Sequence, residues 1–262
     1  MPSFQERYGP WALITGASSG IGAEFARQLA ALGLNMVLVA RRRDRIEHLA
    51  LQLSERHNIR TRTIAADLSP SDFMSSIGPM TEELEIGLLV NNAGFALTGG
   101  FWDHALEKEL ELLNVNCRAP LILAYEFGRK MIERKRGGII FLASMVGFAS
   151  VPFWANYAAS KAYNLFLGEA LWAELRKKSV DVLALCPGAT NTEFQEVAGI
   201  SSLGVMPVAP VVALALKKLG RKPSVIAGWQ NRALCFAEKW MPPRLRLAIW
   251  TKVMQNISKD SI

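Results

Sequence analysis

Apolar residues in the chain gather into short runs rich in branched side chains, at 11–15, 35–40, 62–66, 87–91, 138–143 and 181–186. Longer stretches of helical periodicity lie between them, at 21–32, 44–56, 103–135 and 157–178. Short unbroken apolar runs suit strands that are buried on both faces, and their alternation with helices predicts an α/β fold with a doubly wound parallel sheet. In such a sheet ligands sit beyond the carboxyl ends of the strands, so the loops that follow each run are where chemistry is sought. After Pro187 the pattern changes. Segment 189–210 is broken by Gly199, Gly204, Pro207 and Pro210 and reads as a substrate loop or short helices, not as another strand-helix unit. With no repeat, low-complexity tract or linker, 1–262 reads as a single domain that ends in a tail, 239–262.

In that tail Leu245, Ile249, Val253 and Ile257 recur every fourth residue after Pro242-Pro243, which predicts an apolar stripe on one helix face. Such a stripe is expected to pack on its own domain or on a neighbouring subunit. The alternative is peripheral contact with an anionic membrane surface through this basic, tryptophan-bearing segment.

Composition narrows the class. The 262 residues are 50% hydrophobic and 20% charged, ample for one large core. No apolar run has membrane-spanning length and residues 1–10 are polar, so a cytoplasmic protein is expected. Cys117, Cys186 and Cys235 are odd in number and far apart, and predict neither a disulfide framework nor a metal site. The net charge of +7 raises the question of nucleic acid. Its basic residues are scattered, apart from 41–43 and the C-terminal region, with no interleaved aromatic stripe, so a preference for small anions such as phosphorylated coenzymes is expected instead.

The first run passes through Thr15-Gly16-Ala17-Ser18-Ser19-Gly20-Ile21-Gly22 into a helical stretch. Glycines there allow a tight turn, let backbone N–H groups approach a pyrophosphate and aim a helix N-terminus at its charge. The spacing Gly-x-x-x-Gly-x-Gly differs from the Gly-x-Gly-x-x-Gly fingerprint. The second run ends in Ala40-Arg41-Arg42-Arg43, where an NAD-binding unit presents an acid to the ribose 2′-hydroxyl. Arginines ahead of a helix N-terminus oppose its dipole, and a ribose 2′-phosphate would satisfy them, with Arg41 expected as its main contact and Arg42 sharing the load. A solvated charge run paired with Asp44 or Glu47 is the plainer alternative.

Tyr157 and Lys161 are four apart at the start of a helical stretch and share one face. An ammonium beside a phenol favours phenolate and lowers its pKa toward a range useful for acid/base work. Ser144 ends the run at 138–143 and is positioned to donate to the same substrate oxygen.

Taken in order, these motifs resemble the short-chain dehydrogenase/reductase family from Trp11 to Thr192. Thr15 to Gly22 is similar to the family's glycine loop, Asp67 to its adenine-side aspartate and Asn91-Asn92-Ala93-Gly94 to its strand-end signature. Asn116, Ser144, Tyr157 and Lys161 match its catalytic four, and Pro187-Gly188 with Thr192 its nicotinamide-side segment. The resemblance implies a Rossmann-type sheet and NADP(H) held by Gly16, Ser18, Ser19, Gly20, Ile21, Gly22, Arg41, Arg42, Asp67, Leu68, Asn92, Ala93, Gly94, Tyr157, Lys161, Pro187, Gly188, Thr190 and Thr192. It also implies that Ser144 and Tyr157 hold a carbonyl oxygen and that Tyr157 donates the proton. Lys161 then lowers the pKa of Tyr157 and binds the ribose, while Asn116 holds a water that links Lys161 to solvent.

A finer likeness, at Tyr8-Gly9-Pro10-Trp11-Ala12 and Val39-Ala40-Arg41-Arg42, points to the branch of 3-oxoacyl-thioester reductases and 17β-hydroxysteroid dehydrogenases. The expected pocket lining agrees, with Val146, Phe148, Phe153 and Trp154 before Tyr157 and Phe194, Val197, Ile200, Leu203, Val205 and Met206 after Pro187. The expectation is an NADPH-dependent reductase of a lipophilic carbonyl, a homodimer or homotetramer with no nucleic-acid partner. Its rivals are a dinucleotide-binding regulator without turnover, against which the intact Ser144, Tyr157 and Lys161 speak, and a nucleotide-sugar epimerase or dehydratase, for which the chain is short.

Overall fold

A computed structural model describes residues 2–193 and 205–259. Among them, seven parallel strands form one sheet in the order β3-β2-β1-β4-β5-β6-β7. They are β1 (Trp11–Thr15), β2 (Asn35–Ala40), β3 (Thr61–Ala65), β4 (Ile86–Asn91), β5 (Gly137–Leu142), β6 (Val180–Cys186) and β7 (Ser224–Ile226). All five residues of β1 and all six of β4 are buried, as strands at the centre of a covered sheet require.

Alternate side chains of each strand supply two opposite cores. On one face Ile14, Leu38 and Val90 meet helices α2 (Gly20–Ala31) and α3 (Arg43–His57) through Phe25, Leu29 and Ile46. On the other Leu13, Val39 and Leu89 meet α4 (Met74–Ile77) and α6 (Ala119–Glu133) through Ile77, Leu123 and Phe127. Helix α1 (Phe4–Tyr8) precedes β1, α5 (Leu106–Leu113) precedes α6, and α7 (Ala155–Leu175) packs against β5 and β6. The chain leaves β3 at one edge and returns to β4 beside β1, so the strand order reverses at the β1–β4 pair and the carboxyl ends diverge there.

Two features depart from the sequence reading. The stretch 103–135 is not one helix, because a π turn at Asn114–Arg118 separates α5 from α6. Such a bulge leaves apolar periodicity nearly intact, which hides it in sequence. The region after Pro187 does contain a further helix-strand unit, α8 (Val208–Lys218) followed by β7. Pro210 sits in the first turn of α8, where no intrahelical N–H bond is lost, and β7 is a three-residue, half-buried edge strand with no apolar run to announce it. Helices α9 (Trp229–Lys239) and α10 (Pro243–Lys259) complete the chain.

Candidate active site

The carboxyl ends of β1, β2, β4, β5 and β6 open into one cleft of about 520 Å³. At its coenzyme end lies the glycine loop. Gly16 and Gly20 take φ of +65° and +54°, which side chains with a Cβ rarely adopt. A Cβ on Gly22 would stand 2.3 Å from the Gly16 carbonyl oxygen, so Gly22 allows the helix to close on the loop and does not itself line the cleft. Asn92 braces this loop, its amide donating to the carbonyls of Thr15 and Gly16 at 2.9 and 3.2 Å. The hydroxyl of Thr15 accepts from the amides of Asn92 and Ala93. Positive-φ glycines and the N-terminus of α2 at this end of the cleft are what a dinucleotide pyrophosphate needs, so the residues present fit that group.

Of the predicted coenzyme residues, Gly16, Ser18, Ser19, Gly20, Ile21, Arg41, Arg42, Asp67, Leu68, Asn92, Ala93, Gly94, Pro187, Gly188, Thr190 and Thr192 all border the cleft together with Tyr157 and Lys161. Asp67 also caps its own turn by accepting from the Ser69 amide at 3.0 Å. The two arginines differ. Arg42 reaches Ser18 and Ser19 with guanidinium nitrogens 3.0 and 2.9 Å from their hydroxyls. Arg41 is largely exposed and stands 3.9 Å from Glu111. Sequence reasoning missed Glu193, whose carboxylate is 2.8 Å from Arg42 and also pairs with Arg45. These two cations hold its pKa below the ordinary carboxylate range.

At the other end stand Ser144, Tyr157 and Lys161. Ser144 leaves β5 in extended backbone and caps a short 3₁₀ turn at Met145–Phe148. Its hydroxyl hydrogen-bonds the Tyr157 phenol. Tyr157 and Lys161 lie in the first turns of α7, with the lysine Nζ 5.6 Å from the phenol ring centroid. Nζ donates to the Leu142 carbonyl at 2.9 Å. The phenol was expected to lie below its ordinary pKa, but burial dominates in the folded chain and pushes it up, with the Ser144 bond pulling the other way. Desolvation likewise pushes the Lys161 ammonium down to about 8.

Asn116 lies fully buried behind this group, outside the cleft lining. It sits in the π turn, where its Nδ2 donates to the Phe95 carbonyl at 2.9 Å and to Ser160 Oγ at 3.0 Å, while Oδ1 accepts from the Phe95 amide. Its main-chain carbonyl accepts from Asn164 on α7 at 2.8 Å. Gly94 passes so close that a Cβ would meet Asn116 Oδ1 at 3.0 Å and Lys161 Nζ at 3.3 Å.

The apolar lining is only partly the expected one. Val146 and Trp154 border the cleft, joined by Phe95, Met145, Trp250 and Met254, whose place the linear order did not reveal. Phe148 and Val205 are exposed, Phe153 packs in the cluster near Tyr157 without bordering the cleft, and Met206 packs on the core below β6. Phe194, Val197, Ile200 and Leu203, with Gly199 and Gly204, lie outside the described residues. The tail does form a helix, but Leu245, Ile249 and Val253 are 52%, 44% and 40% exposed while Met254 is fully buried, so the stripe does not pack on its own domain and a neighbouring subunit or a membrane surface is what would cover it. Spacing detects an apolar stripe but not which side of a helix meets the protein. The Ile257 side chain lies outside the described residues.

A short chain dehydrogenase profile matches residues 10–200. The chain belongs to the short-chain dehydrogenase family. This member is an oxidoreductase acting between a hydroxyl and a carbonyl. It is 33% identical over 238 residues to a 7beta-hydroxysteroid dehydrogenase of Mediterraneibacter gnavus, covering 88% of this chain and 90% of the relative. It is 34% identical over 247 residues to a very-long-chain 3-oxoacyl-CoA reductase of Phaeosphaeria nodorum, covering 92% of this chain and 70% of that one. Among solved structures, a short-chain dehydrogenase from Sphingobium yanoikuyae in complex with NADPH superposes with a TM-score of 0.80 at 35% identity, over 88% of this chain and 94% of the other.

Proposed function

We propose that this dehydrogenase is an NADPH-preferring reductase of lipophilic ketones, steroid-like or 3-oxoacyl in character. The observation that carries the reading is one continuous cleft, with Arg42 and the glycine loop at one end and Ser144, Tyr157 and Lys161 at the other, against an apolar wall. Relatives named for hydroxysteroid and 3-oxoacyl-CoA substrates, and a neighbour carrying NADPH, support it.

When bound, NADPH supplies a hydride. Ser144 and Tyr157 hold the substrate oxygen with their hydroxyls, and the buried phenol stays protonated until charge develops on that oxygen and draws its proton. Lys161, fixed by Leu142, faces the resulting phenolate and binds the coenzyme ribose. Asn116 fixes the π turn behind them. Arg42, anchored on Ser18 and Ser19, takes the ribose 2′-phosphate.

Residues 1–262 act as one cytoplasmic domain in this reading, and no described helix is long and apolar enough to cross a membrane. Copies assemble as a homodimer or homotetramer in this reading, and the exposure of Tyr125 and Phe166, at 61% and 63%, supports a contact through them.

NADPH oxidation against a panel of steroid ketones, 3-oxoacyl thioesters, short ketones and nucleotide sugars tests the proposal, with Tyr157→Phe as control. Reduction of lipophilic ketones is expected, falling about 10²- to 10⁴-fold in the variant while NADPH still binds. Turnover of nucleotide sugars alone, or a variant with wild-type kcat, would overturn it.

A further inference from the structure

Glu238 on α9 is 5% exposed and stands outside the coenzyme and proton-transfer machinery. A carboxylate is rarely kept out of water without partners, and its partners here come from α10. The indole Nε1 of Trp250 donates to its Oε1 at 2.9 Å, and the Arg246 guanidinium, one turn earlier on the same helix, supplies opposite charge. Trp250 and Met254 border the catalytic cleft and join the apolar cluster that contains Tyr157, Val146 and Ala96.

We propose that Trp250 and Met254 form the outer wall of the substrate pocket, and that Glu238 is the positioning residue that holds the indole in that wall and selects bulky, ring-bearing carbonyl substrates over small ones. This rests on the ketone-reductase reading above. The indole carries one polar group, and pairing it with Glu238 spends that group outside the pocket. The indole then offers the cleft no second donor, so a ketone oxygen finds its donors at Ser144 and Tyr157. A large apolar skeleton gains contact against the indole and the thioether, whereas a short ketone reaches neither.

Glu238→Ala and Trp250→Phe delete the same hydrogen bond from its two sides, and Glu238→Gln keeps an acceptor. In full-length NADPH-loaded enzyme, the ratio of kcat/KM for a steroid ketone to that for a short-chain ketone is expected to fall about tenfold in either deletion, mainly through KM, because a hydrogen bond to a charged group is worth roughly a factor of ten or more. Glu238→Gln restores most of the ratio, and the double deletion falls no further than either single one. Amide hydrogen exchange over 246–254 is expected to quicken in Glu238→Ala, a readout that needs no substrate. Should Glu238→Ala fail to fold, Trp250→Phe carries the test. Wild-type enzyme that reduces steroid ketones, with the ratio unmoved in the folded deletions, overturns this inference alone. Wild-type enzyme that reduces short ketones and no bulky one overturns it together with the lipophilic reading.

Discussion

Burial sets the chemistry of the two titrating side chains in opposite senses. It raises the phenol of Tyr157, which keeps that group a proton donor across the working range, and lowers the ammonium of Lys161 to about 8. A lysine is cationic below its pKa and neutral above it, so the charge that faces the developing phenolate is lost as pH rises through about 8. The expected outcome is a kcat/KM for ketone reduction that declines above that pH, while Lys161→Arg, whose guanidinium does not deprotonate there, loses activity overall but shows no such decline. A wild-type profile flat to pH 10 would contradict the assignment. The residue identities were legible in sequence from their order and spacing. The direction of the Tyr157 shift was not, because it depends on how much protein surrounds the ring.

At the scale of elements, the α2 and α3 N-termini together border one end of the cleft, and which arginine faces the glycine loop follows from how α3 starts. Arg42 is the N-cap of α3 and turns back to the glycine loop, whereas Arg41, one residue earlier, points toward Glu111. Removing Arg42 by Arg42→Ala is therefore expected to weaken NADPH binding about ten- to a hundredfold, with a smaller effect from Arg41→Ala and little change in NADH binding for either. Fluorescence titration with both coenzymes checks this. A larger loss from Arg41→Ala would reverse the assignment. The sequence reading put Arg41 first and gave Arg42 a share, whereas the junction turns Arg42 to the glycine loop and Arg41 toward Glu111. Successive residues at a strand-to-helix junction point in different directions, and only the junction geometry decides.

For the whole molecule, the two apolar cores lock the sheet while leaving large aromatic side chains uncovered on α6 and α7. Phe166 and Tyr125 are too exposed to contribute to either core. The proposed assembly would cover them, and charge placed there would cost assembly without touching the cleft, which neither residue borders. On the proposal that copies assemble through these side chains, the double substitution Tyr125→Glu with Phe166→Glu is expected to lower the mass by light scattering to that of a monomer, with the far-ultraviolet dichroism of the fold retained. An unchanged mass would place the contact elsewhere.

Local pattern was enough for six of the seven strands, the glycine loop and the order of Asn116, Ser144, Tyr157 and Lys161. Unbroken apolar runs specify buried strands, glycines specify a turn that no Cβ tolerates, and a four-residue spacing puts two side chains on one helix face. Tertiary structure decided what depends on contacts between distant segments. The π turn places Asn116 where it bridges Phe95 and α7, contacts between segments far apart in the chain. The edge strand β7 is defined by its pairing with β6 and not by its own three residues. Trp250 and Met254 join the cluster around Tyr157, with the indole bonded to Glu238, while the more regular stripe of Leu245, Ile249 and Val253 faces out. Helical periodicity is a property of one segment, whereas the face that is buried belongs to the pair of surfaces that meet.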